Sequence, residues 1–107
     1  MSDAGQMAVD LAHRIALTYL RHGQPHRSIV LLIVASHASP HRTDILVTLA
    51  AAMISVRLGD QAMTVLERIA AIDIELSQKP LLLRLRARTL LILGQVDEAR
   101  AIIRDVA

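Results

Sequence analysis

The sequence predicts an all-α fold of about six helices arranged in three helix–turn–helix units. Glycine and proline number only four and three in 107 residues, which is too few for the many turns of an all-β domain. Hydrophobic residues make up 53% of the chain, and they are mostly aliphatic because Tyr19 is the single aromatic residue. Three glycines also recur at spacings of 36 and 35 residues, at Gly23, Gly59 and Gly94. A period in this range is typical of stacked helical hairpins.

Small residues accompany these glycines at a fixed distance. Seven residues before each glycine lies an alanine: Ala16, Ala52 and Ala87. A small residue at a fixed place in one helix lets the next helix approach closely. The glycine then ends the first helix of each unit, because it enters the left-handed region at little cost. We therefore predict one domain over residues 1–107, with units of about 4–40, 41–76 and 77–107.

The helices are predicted in chain order from the residues that break them. The first and third end at glycines, and the second begins at Pro25 and stops at the loop before Pro40. Ser77 and Pro80 begin the fifth helix, as N-cap and first-turn proline. Asp97 lies early in the last helix, where an acid interacts favourably with the helix dipole. The predicted ranges are 4–22, 25–37, 42–58, 60–73, 78–93 and 96–106.

One segment carries a competing signal. Residues 83–88 alternate apolar and basic side chains, which is a strand pattern. The apolar run continues to Leu93 and is rich in leucine, which is too long and too leucine-rich for a typical strand. We therefore predict a helix here.

Composition excludes several function classes. The chain has no cysteine, so it has no disulfide, no thiolate metal site and no cysteine nucleophile. It has no phosphate-binding loop or nucleophile-elbow motif, and glycine or proline interrupts its paired histidines. We therefore predict no enzyme activity, no cofactor and no metal site. Net charge is +2, with one lysine and no aromatic platform for bases, so nucleic-acid binding is not expected. The longest uncharged apolar stretch, 45–56, is too short for a membrane span.

The repeat pattern resembles the tetratricopeptide repeat family over about residues 9–107. The third unit matches best, at Leu83, Ala87, Leu90, Gly94, Ala99 and Ile103. The first unit matches at Ala12, Ile15, Ala16, Tyr19, Gly23, Leu32, Ala35 and Pro40. The second unit is degenerate, with Thr48 where a large residue is usual. The resemblance implies a short right-handed α-solenoid.

Size and layout are similar to the small chaperones of bacterial type III secretion systems. In that family the YscG group holds the needle subunit, and the YscY group holds a small export component. The resemblance implies a cytoplasmic bacterial protein without catalysis that binds one helical, aggregation-prone secretion-system protein. Two other classes stay open: a structural or self-associating subunit of a larger complex, and a small nucleic-acid-binding regulator.

We predict that the first helices of the three units line a concave partner-binding groove. The residues expected to face it lie 13, 10, 6, 3 and 2 positions before each glycine. These positions hold Asp10, Ile92 and thirteen candidates for partner contact: His13, Leu17, Leu20, Arg21, Leu46, Leu49, Met53, Val56, Arg57, Leu81, Arg84, Arg88 and Leu91. An apolar floor edged by Arg and His suits an amphipathic helix with an acidic edge. Two alternatives stay open for these residues: a face that pairs two copies of the chain, and plain core.

Overall fold

The computed structural model describes residues 2–106 and confirms the predicted all-α class. Over this range the helices are α1 Asp3–Arg21, α2 Pro25–Ala38, α3 Thr43–Ser55, α4 Gly59–Ile72, α5 Ile74–Ser77, α6 Pro80–Ile92 and α7 Val96–Val106. The pairs α1–α2, α3–α4 and α6–α7 form hairpins, α2 packs on α3, and α4 packs on α5 and α6. The predicted helix ends differ from these by at most three residues, and the one-turn helix α5 was not predicted.

The turn inside each hairpin contains one residue with positive φ. These residues are Gly23, Arg57 and Gly94, with φ of 73°, 63° and 80°. The next residue in each turn donates its backbone N–H to a carbonyl five positions earlier in the chain. The three bonds are Gln24 to Tyr19 at 2.8 Å, Leu58 to Met53 at 2.9 Å and Gln95 to Leu90 at 2.8 Å. The three first helices therefore end in the same Schellman-type turn.

The predicted register of the second unit is wrong by two residues. Arg57, and not Gly59, occupies the left-handed position that Gly23 and Gly94 occupy in the other turns. Gly59 instead begins α4 and is buried. A Cβ at this position would lie 2.9 Å from the Cδ2 atom of Leu93, and equally close to Ile92. The absence of a side chain at Gly59 allows the start of α4 to lie close to the end of α6, and Gly59 does not form the turn.

Once the hairpins are aligned on these turn residues, they share one core pattern. Seven residues before the turn residue lie Ala16, Ala50 and Ala87, and five residues after it lie Ser28, Ala62 and Ala99. All six are buried. Ser28 Oγ donates to the carbonyl of Ala16 at 2.8 Å, so α1 and α2 are in close contact there. The small residue that marks the middle unit is Ala50 in place of the predicted Ala52, which is also buried.

We expect Arg57→Gly to raise the free energy of unfolding by about 1 kcal/mol. A non-glycine residue in the left-handed conformation costs roughly 1–2 kcal/mol, and the greater freedom of glycine in the unfolded chain offsets part of the gain. Gly94→Ala is expected to lower the free energy of unfolding by a similar amount, because alanine is strained at the positive φ of this residue. A Cβ at Gly94 meets no atom within 4 Å, so the change measures the backbone strain without a steric clash. Urea unfolding measures both changes. An unchanged midpoint for either variant would contradict the assigned turn geometry.

Candidate functional site

The groove floor predicted for the middle unit lies in the core. Leu46, Leu49 and Met53 are 0%, 3% and 6% exposed and belong to the main hydrophobic cluster. The prediction that they contact a partner is therefore wrong. The register error explains it, because the face was counted from Gly59 and not from Arg57. A shift of two residues rotates the chosen face of a helix by about 200°.

The residues predicted in the first unit are partly covered. His13, Leu17 and Leu20 are half-buried, and Arg21 is exposed at the end of α1. The ring of His13 is engaged, with Nε2 lying 2.9 Å from Thr48 Oγ1 and Nδ1 lying 3.6 Å from Asp44 Oδ2. His13 therefore joins α1 to α3, and this part of the predicted groove is not an open apolar floor.

An ion-pair cluster lies beside His13. Arg42 binds the carboxylates of Asp10 on α1 and Asp44 on α3, and its Nη2 lies 2.7 Å from Asp44 Oδ2. Hydrogen bonding from the Arg42 guanidinium lowers the pKa of Asp44, and the two carboxylates raise the pKa of Arg42. The cluster ties the first hairpin to the second.

This cluster predicts sensitivity to acid. The pKa of Asp44 is below its ordinary 3.8 in the folded protein, so its contribution is present above about pH 4. That contribution is lost as the pH falls through the lower folded-state pKa. We expect Asp44→Asn to cost up to about 1 kcal/mol at neutral pH, because the pair is exposed, and less at about pH 3. Urea unfolding of both proteins at the two pH values measures this. A difference that stays constant would contradict the assignment.

The residues predicted in the third unit are exposed and lie together. Leu81, Arg84, Arg88 and Leu91 are spaced by three, four and three residues along α6, so they share one face. Leu81 is 55% exposed and Leu91 is 46% exposed. The opposite face of α6 enters the core.

An apolar groove of about 340 Å³ runs between α6 and α7 beside this face. We call it the α6–α7 groove, and its lining residues are Arg84, Ala87, Arg88, Leu91, Ile102, Ile103 and Val106. The sequence predicted Arg84, Arg88 and Leu91 on the α6 side of the groove, and it predicted none of the lining residues on α7. The repeat pattern gave no signal for the α7 wall, because Ile103 occupies a position that is buried in the other two units.

A second depression of about 320 Å³ adjoins the groove at Arg88 and Leu91. It extends to Ile54, Arg57 and Ile92. Arg57, which the sequence also predicted as a site residue, is thus brought near the same surface. The remaining predicted residue, Val56, is half-buried at the end of α3 and packs against the core.

Two arginines form the basic edge of the α6–α7 groove. Arg84 and Arg88 are both exposed, and neither forms an ion pair with another residue in the range 2–106. Their charges are therefore available to a carboxylate that the described chain does not supply. The floor between them and α7 is aliphatic.

One residue that lines this groove, Ile103, occupies a position that is buried in both of the other hairpins. Nine residues after the turn residue, Leu32 and Leu66 are 0% and 3% exposed, whereas Ile103 is 47% exposed. Leu32 and Leu66 lie in hairpins on which a following hairpin packs, since α3 packs on α2 and α6 packs on α4. In the described part of the chain α7 contacts α6 alone. The groove is therefore an uncovered surface of the kind that a helix covers elsewhere in this fold.

The described residues give little support for a metal site or a membrane-spanning helix. Within residues 2–106 no group of three metal-ligating side chains comes together. The Nδ1 atoms of His22 and His37 lie within hydrogen-bond distance of the carbonyls of Thr18 and Ile33 in their own helices, at 2.8 and 2.9 Å. Across the same range, every helix is too short or too polar to cross a membrane.

No protein-family model matches the sequence, and no curated protein is a significant match to it. The candidate site therefore rests on the residues and geometry described above.

Proposed function

We propose that this chain is a non-enzymatic protein-binding module that holds an apolar helix of a partner protein in the α6–α7 groove. The observation that carries the proposal is the exposure of Ile103, since its counterparts Leu32 and Leu66 are buried in hairpins on which a further hairpin packs. Exposed aliphatic surface of this kind is stabilised when a partner removes it from water. Within this fold, a helix of the next hairpin packs on the second helix of each of the other two hairpins.

The chemistry of the groove defines the partner helix. Leu91, Ile102 and Ile103 take aliphatic side chains spaced three and four residues apart along that helix. Arg84 and Arg88 select a helix that carries Asp or Glu along one edge. The partner is thus an amphipathic helix with an acidic edge.

The resemblance to type III secretion chaperones supplies the biological setting of the proposal. In this setting the chain is a cytoplasmic bacterial chaperone, and its partner is a needle subunit or a small export component. Such a partner aggregates through its own apolar helix. Burial of that helix in the groove keeps it monomeric until export.

Co-purification from cells that express the neighbouring genes of the same operon tests this proposal. We expect a tagged copy of the chain to retain one small helical protein in stoichiometric amount. Absence of any stoichiometric partner would contradict the chaperone function. Retention of DNA that salt removes would favour the nucleic-acid alternative instead.

A further inference from the structure

α1 carries an apolar stripe on the face that points away from the core. Met7, Leu11 and Ile15 are spaced four residues apart and are 70%, 51% and 41% exposed. The other side of the same helix is buried through Val9 and Ala16. A surface helix normally has one apolar stripe, so the second stripe on α1 is surface that a contact would bury.

Two residues of the α1 stripe, Leu11 and Ile15, match positions that are buried in other hairpins, whereas the residues that match Met7, His41 and Gln78, are exposed. Twelve residues before the turn residue lie Leu11, Ile45 and Leu82, and the latter two are 0% and 4% exposed. Eight residues before it, Ile15 of α1 corresponds to Leu49 of α3, which is 3% exposed, and to Arg86 of α6, which is half-buried. The helices α3 and α6 pack on the hairpin that precedes each of them. No helix within residues 2–106 covers these positions on α1.

We propose that the α1 stripe of a second copy of this chain docks in the α6–α7 groove of the first. The two surfaces are the two halves of one interface that already occurs between consecutive hairpins inside the chain. Head-to-tail stacking of copies would continue that packing and bury Leu11 against the surface that contains Ile103. The inference rests on the proposed function in one respect, since it uses the same groove as a helix-binding surface.

Charge complementarity supports the same register. Inside the chain, His13 lies ten residues before its turn residue and contacts Asp44, which lies thirteen residues before the next one. By the same offsets, Arg84 of one copy meets Asp10 of the second copy. Arg84, which forms no ion pair within the described residues, thereby gains a carboxylate partner.

This contact is heterologous, because each copy uses two different surfaces. Each added copy leaves one stripe and one groove open, so the assembly grows with concentration and does not stop at a symmetric dimer. A partner helix that occupies the groove competes with the second copy and returns the chain to single copies in the complex.

A mixing experiment with two exposed-site variants tests the inference. Leu11→Glu blocks the stripe and keeps the groove, and Ile103→Glu blocks the groove and keeps the stripe. We expect wild type to increase in mass between about 10 μM and 1 mM in sedimentation or light scattering, a range typical of weak association. Each variant alone should stay at the 11.7 kDa monomer mass. An equimolar mixture should form a one-to-one dimer that does not grow further.

Every other pattern overturns the inference. Wild type that stays monomeric, a single variant that associates as wild type does, or a mixture that stays monomeric would each contradict head-to-tail docking. Circular dichroism checks the fold of each variant, and Leu11→Gln and Ile103→Gln replace the charged changes if either unfolds. Leu11→Glu is expected to keep the co-purified partner. If the partner is retained but the mixture of variants forms no dimer, only this inference is overturned. If the mixture forms a dimer but no partner is retained, only the proposed function is overturned.

Discussion

Leu49→Asp is expected to unfold the protein. Leu49 is 3% exposed within the main hydrophobic cluster, so the change buries an unpaired carboxylate and removes aliphatic contacts. An uncompensated buried charge costs several kcal/mol or forces the group to take up a proton. A domain of this size has only about 5–15 kcal/mol of stability in total. Circular dichroism at 25 °C should show the loss of most helical signal.

Leu91→Asp is the matched control for this prediction. It makes the same chemical change on α6, at a position that is 46% exposed. We expect this variant to remain helical and to unfold within about 1 kcal/mol of wild type, as surface substitutions do. A folded Leu49→Asp with an unchanged urea midpoint would instead place Leu49 on an exposed surface, as the sequence analysis predicted.

Ile103→Glu is expected to abolish binding of the co-purified partner while the chain stays folded. The change puts a carboxylate in the centre of the apolar groove, where partner contact would remove it from water. Central apolar contacts of this kind contribute about 2–4 kcal/mol, which is a loss of affinity of roughly thirtyfold to a thousandfold. Isothermal titration or a quantitative pull-down measures the loss.

Val34→Glu on α2 is the control for the groove variant. Val34 is 63% exposed and lies on a hairpin that does not contact α7. It should bind the partner as wild type does. Equal binding by Ile103→Glu and Val34→Glu would show that the partner site lies away from the groove.

Arg88→Glu is expected to weaken partner binding mostly at low ionic strength, because salt screens an exposed ion pair.

The sequence predicted most of the fold because the helix breaks are local. Pro25 begins α2 where expected, and Gly23 and Gly94 take the left-handed turn positions. Pro80 begins α6 two residues later than predicted, and the predicted N-cap is wrong, because Lys79 is the N-cap and Ser77 ends the one-turn helix α5. The middle turn was missed because Arg57 adopts a positive φ, which a non-glycine residue rarely does. Sequence patterns assign such a turn to the nearest glycine, two residues further on. Ala62 and Leu66 match the small and large residues of the other units, Ser28 and Ala99 and then Leu32 and Ile103, only when the middle unit is shifted by two residues.

The same register decided how much of the candidate site was predictable. Arg84, Arg88 and Leu91 were predicted correctly as exposed residues because Gly94 is a true turn residue. Leu46 and Leu49 were misplaced because their face was counted from Gly59. The α7 wall could not be found from helix-by-helix patterns, since Ile103 occupies an ordinary core position and is exposed only because no described helix covers it.

A methyl NMR titration of the chain with the co-purified partner tests most directly whether the partner binds in the α6–α7 groove. We expect the methyl signals of Leu91, Ile102 and Ile103 to shift or broaden on binding. Those of Val30 and Val34, which are exposed on α2, should stay in place. Shifts confined to the α2 methyl groups, with the Ile103 signal unchanged in a saturated complex, would show that the α6–α7 groove is not the partner site.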